Sequence, residues 1–126
     1  MAERRSIAID GLAHLASIPV ATRIGPLLVS SVITAFDPGT RNSPPTIDAQ
    51  IANLFTHVGA VLDACGGTWD DVAKMSFWLA DPAHRAALEQ PWQEHFPDPD
   101  ARPSRHTHID PQATVATCDV LAYVGS

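Results

Sequence analysis

The stretch "TIDAQIANLFTHVGAVLDACGG" (residues 46–67) contains the strongest structural pattern in the chain. Thr46 is suited to cap a first helical turn, Asp48 suits that turn's positive end, and Gly66 and Gly67 provide a left-handed exit. Between these ends, large apolar side chains recur at the spacing of a single helix face: Ile51, Leu54, Phe55, Val58, Val61, Leu62 and Cys65. The pattern predicts one helix with one buried face.

Runs rich in β-branched and apolar residues flank this helix on both sides and predict strands. Before it lie "RRSIAID" (4–10) and "GPLLVSSVITAF" (25–36), which we expect to pair; the segment between them has no clean period. After it come a short helical turn capped by Thr68, a strand at "KMSFWLA" (74–80), a helix opening at Asp81 and Pro82, and strands at 105–109 and about 114–124. We expect Pro91 to kink or break the second helix near Leu88.

The predicted element order is β-β-α-β-α-β-β over a single domain, residues 1–126, with the helices packed on one face of a mixed sheet. This is an α+β fold. The runs "LLVSSVITA" and "VATCDVLAYV" are apolar at nearly every position, so both faces of these strands favour burial. We therefore expect self-association through the sheet face that carries no helix.

Composition narrows the classes of function. The net charge of -6 and a single lysine disfavour nucleic-acid binding, which requires clustered cations. No apolar run approaches the roughly 18 residues of a membrane span, and no apolar core of a signal peptide follows "MAERRSIAID", so a cytoplasmic location is the expectation. Cys65 and Cys118 lie in apolar patterns typical of inert buried thiols, the alternative being a disulfide or a reactive cysteine.

The segment "ARPSRHTHID" (101–110) holds the most distinctive polar residues, and no nucleotide, α/β-hydrolase, zincin or thioredoxin motif is present. Pro103 stiffens the approach to Arg105 and an apolar strand follows. A fixed guanidinium there fits a carboxylate through two hydrogen bonds, although a salt bridge to one of the chain's own acidic residues is the alternative. Arg102, in a polar connector, is expected to be a solvated rim charge.

The histidines indicate a functional site less strongly than Arg105 does. His106 and His108 share one face of a predicted strand, but no further ligand stands at a matching offset, so no metal site is predicted. His57, His84 and His95 are expected at the surface. His14 is a candidate to line a pocket.

The succession "IGPLLVSS", "TIDAQIANLFTHVGAVLDACGGTWDDVAKMSFWLAD", "WQEHFPDPDARPSRHTHI" and "VATCDVLAYV" resembles the RidA/YjgF/YER057c/UK114 family from about residue 18 to 124. The resemblance implies a chorismate-mutase-like fold assembled as a homotrimer, with sites between subunits. It also implies hydrolysis of reactive enamine and imine carboxylates of the 2-aminoacrylate type to a keto acid and ammonia, with no cofactor.

The same resemblance assigns roles to residues. Arg105 falls on the arginine that clamps the substrate carboxylate, and Thr117 falls on the family's water-positioning glutamate. Substrate contacts fall on four further positions, at Val20, Ser31, Val32 and Thr107.

Several positions depart from the family pattern. Thr117 cannot act as a carboxylate base, Val32 replaces a usual glycine, the aromatic hydroxyl expected near Pro19 is missing, and Glu89 replaces a usual asparagine. Asp119, on the same strand face as Thr117, is the nearby carboxylate that could substitute, with His14 and Glu89 as further auxiliary candidates. A non-catalytic trimeric binder of small carboxylate metabolites is the alternative function, and a ribonuclease or translation-inhibitor role the third.

Overall fold

A computed structural model describes residues 3–12 and 14–125 of the chain. Its two α-helices are α1 (Ile47–Ala64) and α2 (Ala86–His95), and short 3-10 helices cover Trp69–Asp71 and Pro82–Arg85. The strands are β1 (Arg4–Ile7), β2 (Ala21–Ile24), β3 (Leu27–Ser30), β4 (Ile33–Thr34), β5 (Val72–Leu79), β6 (Ser104–Ile109) and β7 (Thr117–Tyr123).

These strands form one mixed sheet in the order β1-β2-β3-β7-β5-β6, with β4 also paired to β7. β5 and β6 run parallel, and the other pairings are antiparallel. Met75, Phe77 and Leu79 of β5 are buried and share one core with the apolar stripes of α1 and α2. We call this side of the sheet the helix face and the opposite side the outer face. The predicted α+β class, with helices on one face of a mixed sheet, is confirmed.

The predicted helix at 46–67 is confirmed together with both of its ends. The Thr46 hydroxyl accepts a hydrogen bond from the Ala49 N–H at 3.2 Å. At the other end the Gly66 and Gly67 N–H groups donate to the carbonyls of Asp63 and Leu62, the paired bonds of a Schellman motif, with Gly66 at φ 72°. All seven apolar positions predicted to face the core are buried.

The N-terminal half of the sheet differs from the prediction. Residues 21–24 form a strand of their own, β2, which pairs with β1 on one side and β3 on the other, so the expected direct pairing of the first two runs is wrong. Arg23 obscured the pattern, because it points inward from β2 and donates to the carbonyls of Cys65 and Gly25. The run at 25–36 is divided at Ser31 and Val32 into β3 and β4.

A kink or a break was predicted near Leu88. The helix α2 is continuous from Ala86 to His95 with Pro91 inside it, so the break is wrong. The change in helix type lies upstream, where the 3-10 turn capped by Asp81 passes into α2 at Ala86. Proline removes one backbone hydrogen bond. Burial of Leu88 and Trp92 on either side of Pro91 offsets that loss.

The outer face carries no helix within the described part of the chain, and it exposes a cluster of apolar side chains. Val29 and Leu121 are partners in the sheet, and Leu27 lies between Ile24 and Tyr123 in the neighbouring row. These five residues keep between 36% and 62% of their surface exposed. This apolar cluster is the surface that the sequence predicted for self-association. Within residues 3–12 and 14–125, no helix has the length and hydropathy that a membrane crossing requires.

Both cysteines are free and buried. Burial, and then the charge of Asp119, raises the pKa of the Cys118 thiol far above its ordinary value. Burial also raises the pKa of Cys65, against the opposing charges of Arg23 and Arg5. Because the thiolate is the reactive species, we expect both thiols of the folded protein to react with a disulfide reagent at least about 100-fold more slowly than after denaturation. The reaction can be monitored by absorbance. Rapid modification of either thiol in the native protein would contradict this burial.

Candidate functional site

Arg105 lies on the edge strand β6 and points to the helix face, because it is aligned with the buried Met75 of β5. One of its terminal nitrogens, Nη2, donates to Oε1 of Glu89 on α2 at 2.7 Å. Its guanidinium carbon lies 5.0 Å from the centre of the Trp92 ring, also on α2. The side chain of Arg105 keeps 26% of its surface exposed. The arginine is thus held against an aromatic face by a packed helix, with part of its donor fork still accessible.

The structure therefore brings Arg105 and Glu89 together, and it places Thr107 on the same face of β6, two residues farther along the strand. Trp92 is the member of this group that the sequence reading missed. Glu89 and Trp92 are three residues apart on α2, which puts them on one helix face. That spacing was visible in the sequence and could have identified the pair. We call Arg105, Thr107, Glu89 and Trp92 the arginine group.

A second set of predicted residues lies around a cavity of about 260 Å³. Val20, Val32 and His14 line this cavity together with Gly11, Leu12, Ile33, Thr34, Phe36, Gly39, Thr40, Arg41 and His57. Ser31 is anchored beside it, since its N–H donates to the Val20 carbonyl and its hydroxyl to the Pro19 carbonyl at 2.7 Å. The β3–β4 connection and the segment before β2 thus form one wall. We call this the cavity group.

The arginine group and the cavity group do not meet within one chain. Ser30 and Val120 are joined by a hydrogen bond, Val120 is aligned with Met75, and Met75 with Arg105, so all lie at one level of the sheet. Between the β3–β4 connection and β6, however, stand β7 and β5. Three strand spacings amount to roughly 14 Å, which is too far for one small ligand to touch both groups.

Thr117 and Asp119 form a third set, on β7 and on the outer face. Thr117 is paired with Thr34 and Trp78, and Asp119 with Ser76. Burial raises the pKa of the Asp119 carboxyl, while Lys74, His108 and a hydrogen bond from Ser76 act in the opposite direction. Arg105 points to the opposite face of the sheet, two strands away, so Thr117 and Asp119 do not contact it in the same chain.

The structure also gives the positions of Arg102 and of the two histidines on β6. Arg102 is exposed, as predicted for a rim charge, and donates to the Phe96 carbonyl at the end of α2. The rings of His106 and His108 are 3.8 Å apart, and His108 stacks on Trp78. Among the described residues no group of three or more metal-ligating side chains is assembled.

Two of the three histidines expected at the surface contact the interior. His57 is 3% exposed and its Nε2 bonds to the Phe36 carbonyl, so the surface prediction is wrong for it. Three residues after Leu54 and four before Val61, it lies at the border of the buried stripe, a position that the sequence showed. His95 is partly buried and stacks on Phe55. His84 is also partly buried.

Comparison with known proteins gives matches at two levels. The family model described as Endoribonuclease L-PSP matches residues 12–114. No curated protein gives a significant match.

Several solved structures share the fold over nearly the whole chain. RidA from an Antarctic Psychrobacter bacterium has a TM-score of 0.85 at 23% identity, covering 95% of this chain and 99% of its own. Yeast Mmf1 has a TM-score of 0.86 at 18% identity, covering 98% and 100%. YyfA of Yersinia pestis, described as a conserved Rid family protein, has a TM-score of 0.87 at 17% identity, covering 97% and 100%. At these identities the likeness establishes the fold.

Proposed function

Because the chain belongs to the endoribonuclease L-PSP family, which is the RidA/YjgF/UK114 family, we propose that it hydrolyses small reactive enamine and imine carboxylates to a keto acid and ammonia. The observation that carries this proposal is the arrangement of Arg105. Its guanidinium is fixed against Trp92 yet remains partly exposed at a sheet edge, which suits it to hold a carboxylate.

The chemistry requires little beyond positioning. The enamine tautomerises to an imine, water adds to the carbon of the C=N bond, and the carbinolamine expels ammonia to leave the keto acid. Holding the carboxylate beside a positioned water makes the addition effectively intramolecular. Thr117 can hydrogen-bond that water but cannot take its proton as a carboxylate would. Asp119, whose pKa is raised by burial, is the carboxylate on the same strand face that we propose for the proton transfer.

We further propose that the site is shared between subunits of a homotrimer. The cavity group and the arginine group lie roughly 14 Å apart in one chain, so a small ligand can contact both only if they come from different chains. The apolar cluster of Ile24, Leu27, Val29, Leu121 and Tyr123 supplies a surface for such an assembly. Closed rings of identical subunits are a common outcome when one surface binds a different surface of the next copy.

The direct test is the release of ammonia from 2-aminoacrylate generated in situ by a dehydratase. We expect the protein to accelerate ammonia release above the spontaneous rate in proportion to its concentration. A rate that stays at the spontaneous level for 2-aminoacrylate and for 2-imino acids with larger side chains, while pyruvate still binds, would reject the deaminase proposal.

That rejecting outcome would support the second candidate, a non-catalytic binder of small carboxylate metabolites. Two observations favour it: Thr117 stands where a carboxylate is expected, and Glu89 occupies a donor of Arg105. A ribonuclease role, the third expectation, draws on the family model's description alone. The charge of -6 opposes RNA binding.

The contact with Glu89 leads to a testable prediction. Glu89 competes with a bound carboxylate for the same guanidinium, so Glu89→Gln is expected to tighten pyruvate binding by about 3- to 5-fold, the range of a partly exposed ion pair. Calorimetry measures the change. Glu94→Gln is the matched control, because Glu94 is on the same helix and bonds to Gln90 instead. Weaker binding in Glu89→Gln would mean that Glu89 supports the ligand rather than competing with it.

A further inference from the structure

The cavity beside Ser31 and Val32 is larger than the smallest substrate requires. Its volume of about 260 Å³ exceeds that of an apolar cavity of about 150 Å³ that is known to hold a benzene molecule. The reacting end of 2-aminoacrylate carries only a methylene group. A substrate held at Ser31 and Val32 would therefore leave most of the cavity unfilled unless it carried a bulky side chain.

The cavity wall is apolar over about half of its surface. Leu12, Val20, Val32, Ile33 and Phe36 line it, and Val20 and Ile33 belong to the buried core. Apolar walls of this kind bind aliphatic or aromatic groups and set orientation through a few polar atoms. This part of the wall thus favours a side chain with an apolar body.

One polar atom of a buried side chain in that wall has no hydrogen-bond partner among the described residues. His57 lines the cavity and is 3% exposed. Its Nε2 lies 2.7 Å from the Phe36 carbonyl, which only accepts, so Nε2 carries a proton and donates it. In the neutral ring, Nδ1 is then a hydrogen-bond acceptor.

Nδ1 of His57 also has access to open space. Within residues 3–12 and 14–125, the one sealed side-chain nitrogen or oxygen without a hydrogen bond is Nδ1 of His84. His57 Nδ1 has no hydrogen-bond partner among those residues, yet it is not sealed, so it borders space that a water molecule can enter. The cavity is the space that His57 lines. A ligand that fills the cavity displaces the water that can reach Nδ1, so the position favours a ligand that brings a donor to replace that hydrogen bond.

We propose that this cavity receives the side chain of the imine substrate, and that His57 Nδ1 accepts a hydrogen bond from a hydroxyl or N–H group at the end of that side chain. The assignment rests on the proposed deaminase function and on the substrate contacts expected at Ser31 and Val32, which together put the reacting carbon beside these two residues. The substrate class is then 2-imino acids with a bulky, mainly apolar side chain that ends in a donor.

Two keto acids that differ by one hydroxyl test this inference: 4-hydroxyphenylpyruvate and phenylpyruvate. We expect wild-type protein to bind the hydroxylated compound about 5- to 10-fold more tightly in calorimetry, the effect of one buried hydrogen bond. His57→Leu should abolish the preference. His57→Gln should retain it, because the amide can donate to the Phe36 carbonyl and still offer an oxygen to the ligand.

The readout is the ratio of the two dissociation constants, which does not depend on whether the protein turns over a substrate. Equal binding of both keto acids by wild type would overturn the inference, as would a preference that persists in folded His57→Leu. If His57→Leu does not fold, the inference is tested by two results: the ratio of the two affinities in wild type, and whether His57→Gln retains that ratio. Release of ammonia from 2-aminoacrylate tests the deaminase proposal separately, so each proposal can fail without the other.

Discussion

Arg105→Ala is expected to weaken the binding of pyruvate and related keto acids by about 100-fold and to remove any acceleration of 2-aminoacrylate hydrolysis. The guanidinium supplies charge and two parallel donors to a carboxylate, and losing such a charge-assisted pair costs roughly 2–3 kcal/mol. Binding by calorimetry and ammonia release report the two effects. Because the Arg105 side chain is partly exposed, the fold should survive the substitution.

A second substitution of Arg105 separates the effect of its charge from that of its geometry, and a substitution of Arg102 is the control. Arg105→Lys keeps the charge but lacks the planar fork and the stacking on Trp92, so it should recover only part of the loss. Arg102→Ala is the matched control, since Arg102 lies three residues away, is exposed, and within residues 3–12 and 14–125 donates only to the Phe96 carbonyl. If Arg102→Ala abolished binding while Arg105→Ala did not, the roles of the two arginines would have to be exchanged.

Leu121→Arg is expected to dissociate the proposed homotrimer and, with it, to remove carboxylate binding. Leu121 lies on β7, where it is paired with Val29 of the apolar cluster, and is 39% exposed in the single chain. An arginine there leaves the core of the chain intact but would place an unpaired charge inside the interface, at a cost of several kcal/mol. Light scattering at micromolar concentration should show trimers for wild type and monomers for the variant.

The control for this variant is Gln93→Arg, which adds the same charge at an exposed position on α2, away from the outer face. It should leave the assembly unchanged. A wild-type protein that is monomeric at micromolar concentration would refute the shared site, because the arginine group and the cavity group could then not meet.

The parts of the fold that the sequence predicted are those in which local pattern and tertiary packing agree. The seven-residue stripe of α1, its threonine cap and its glycine exit each have a local physical cause, and all were found in place. β2 was missed because Arg23 breaks its alternation from an inward position, where it bonds to the end of α1. That bond joins residues far apart in the chain, so the pattern of a short stretch of sequence cannot reveal it. The break expected at Pro91 failed for a related reason, since burial of Leu88 and Trp92 outweighs one lost hydrogen bond.

The sequence singled out individual residues of the candidate site but not the way in which they are grouped. Arg105 and Glu89 were singled out separately, and only the packing of α2 on the sheet shows that they touch. Val20, Val32 and His14 were selected without any indication that they share a cavity. The buried position of His57 could be seen in its helical spacing, but its bond to Phe36 depends on a loop conformation that the sequence does not specify.

The measurement that tests the shared site most directly is complementation between two inactive variants. Arg105→Ala removes the carboxylate clamp, and Val32→Trp blocks the cavity group. Each alone should fail to hydrolyse 2-aminoacrylate. In trimers assembled from equal amounts of both, about one quarter of the interfaces combine two intact halves from different subunits, so about a quarter of wild-type activity should return. Mixed trimers that form, as shown by mass spectrometry, yet remain inactive would contradict a site shared between chains.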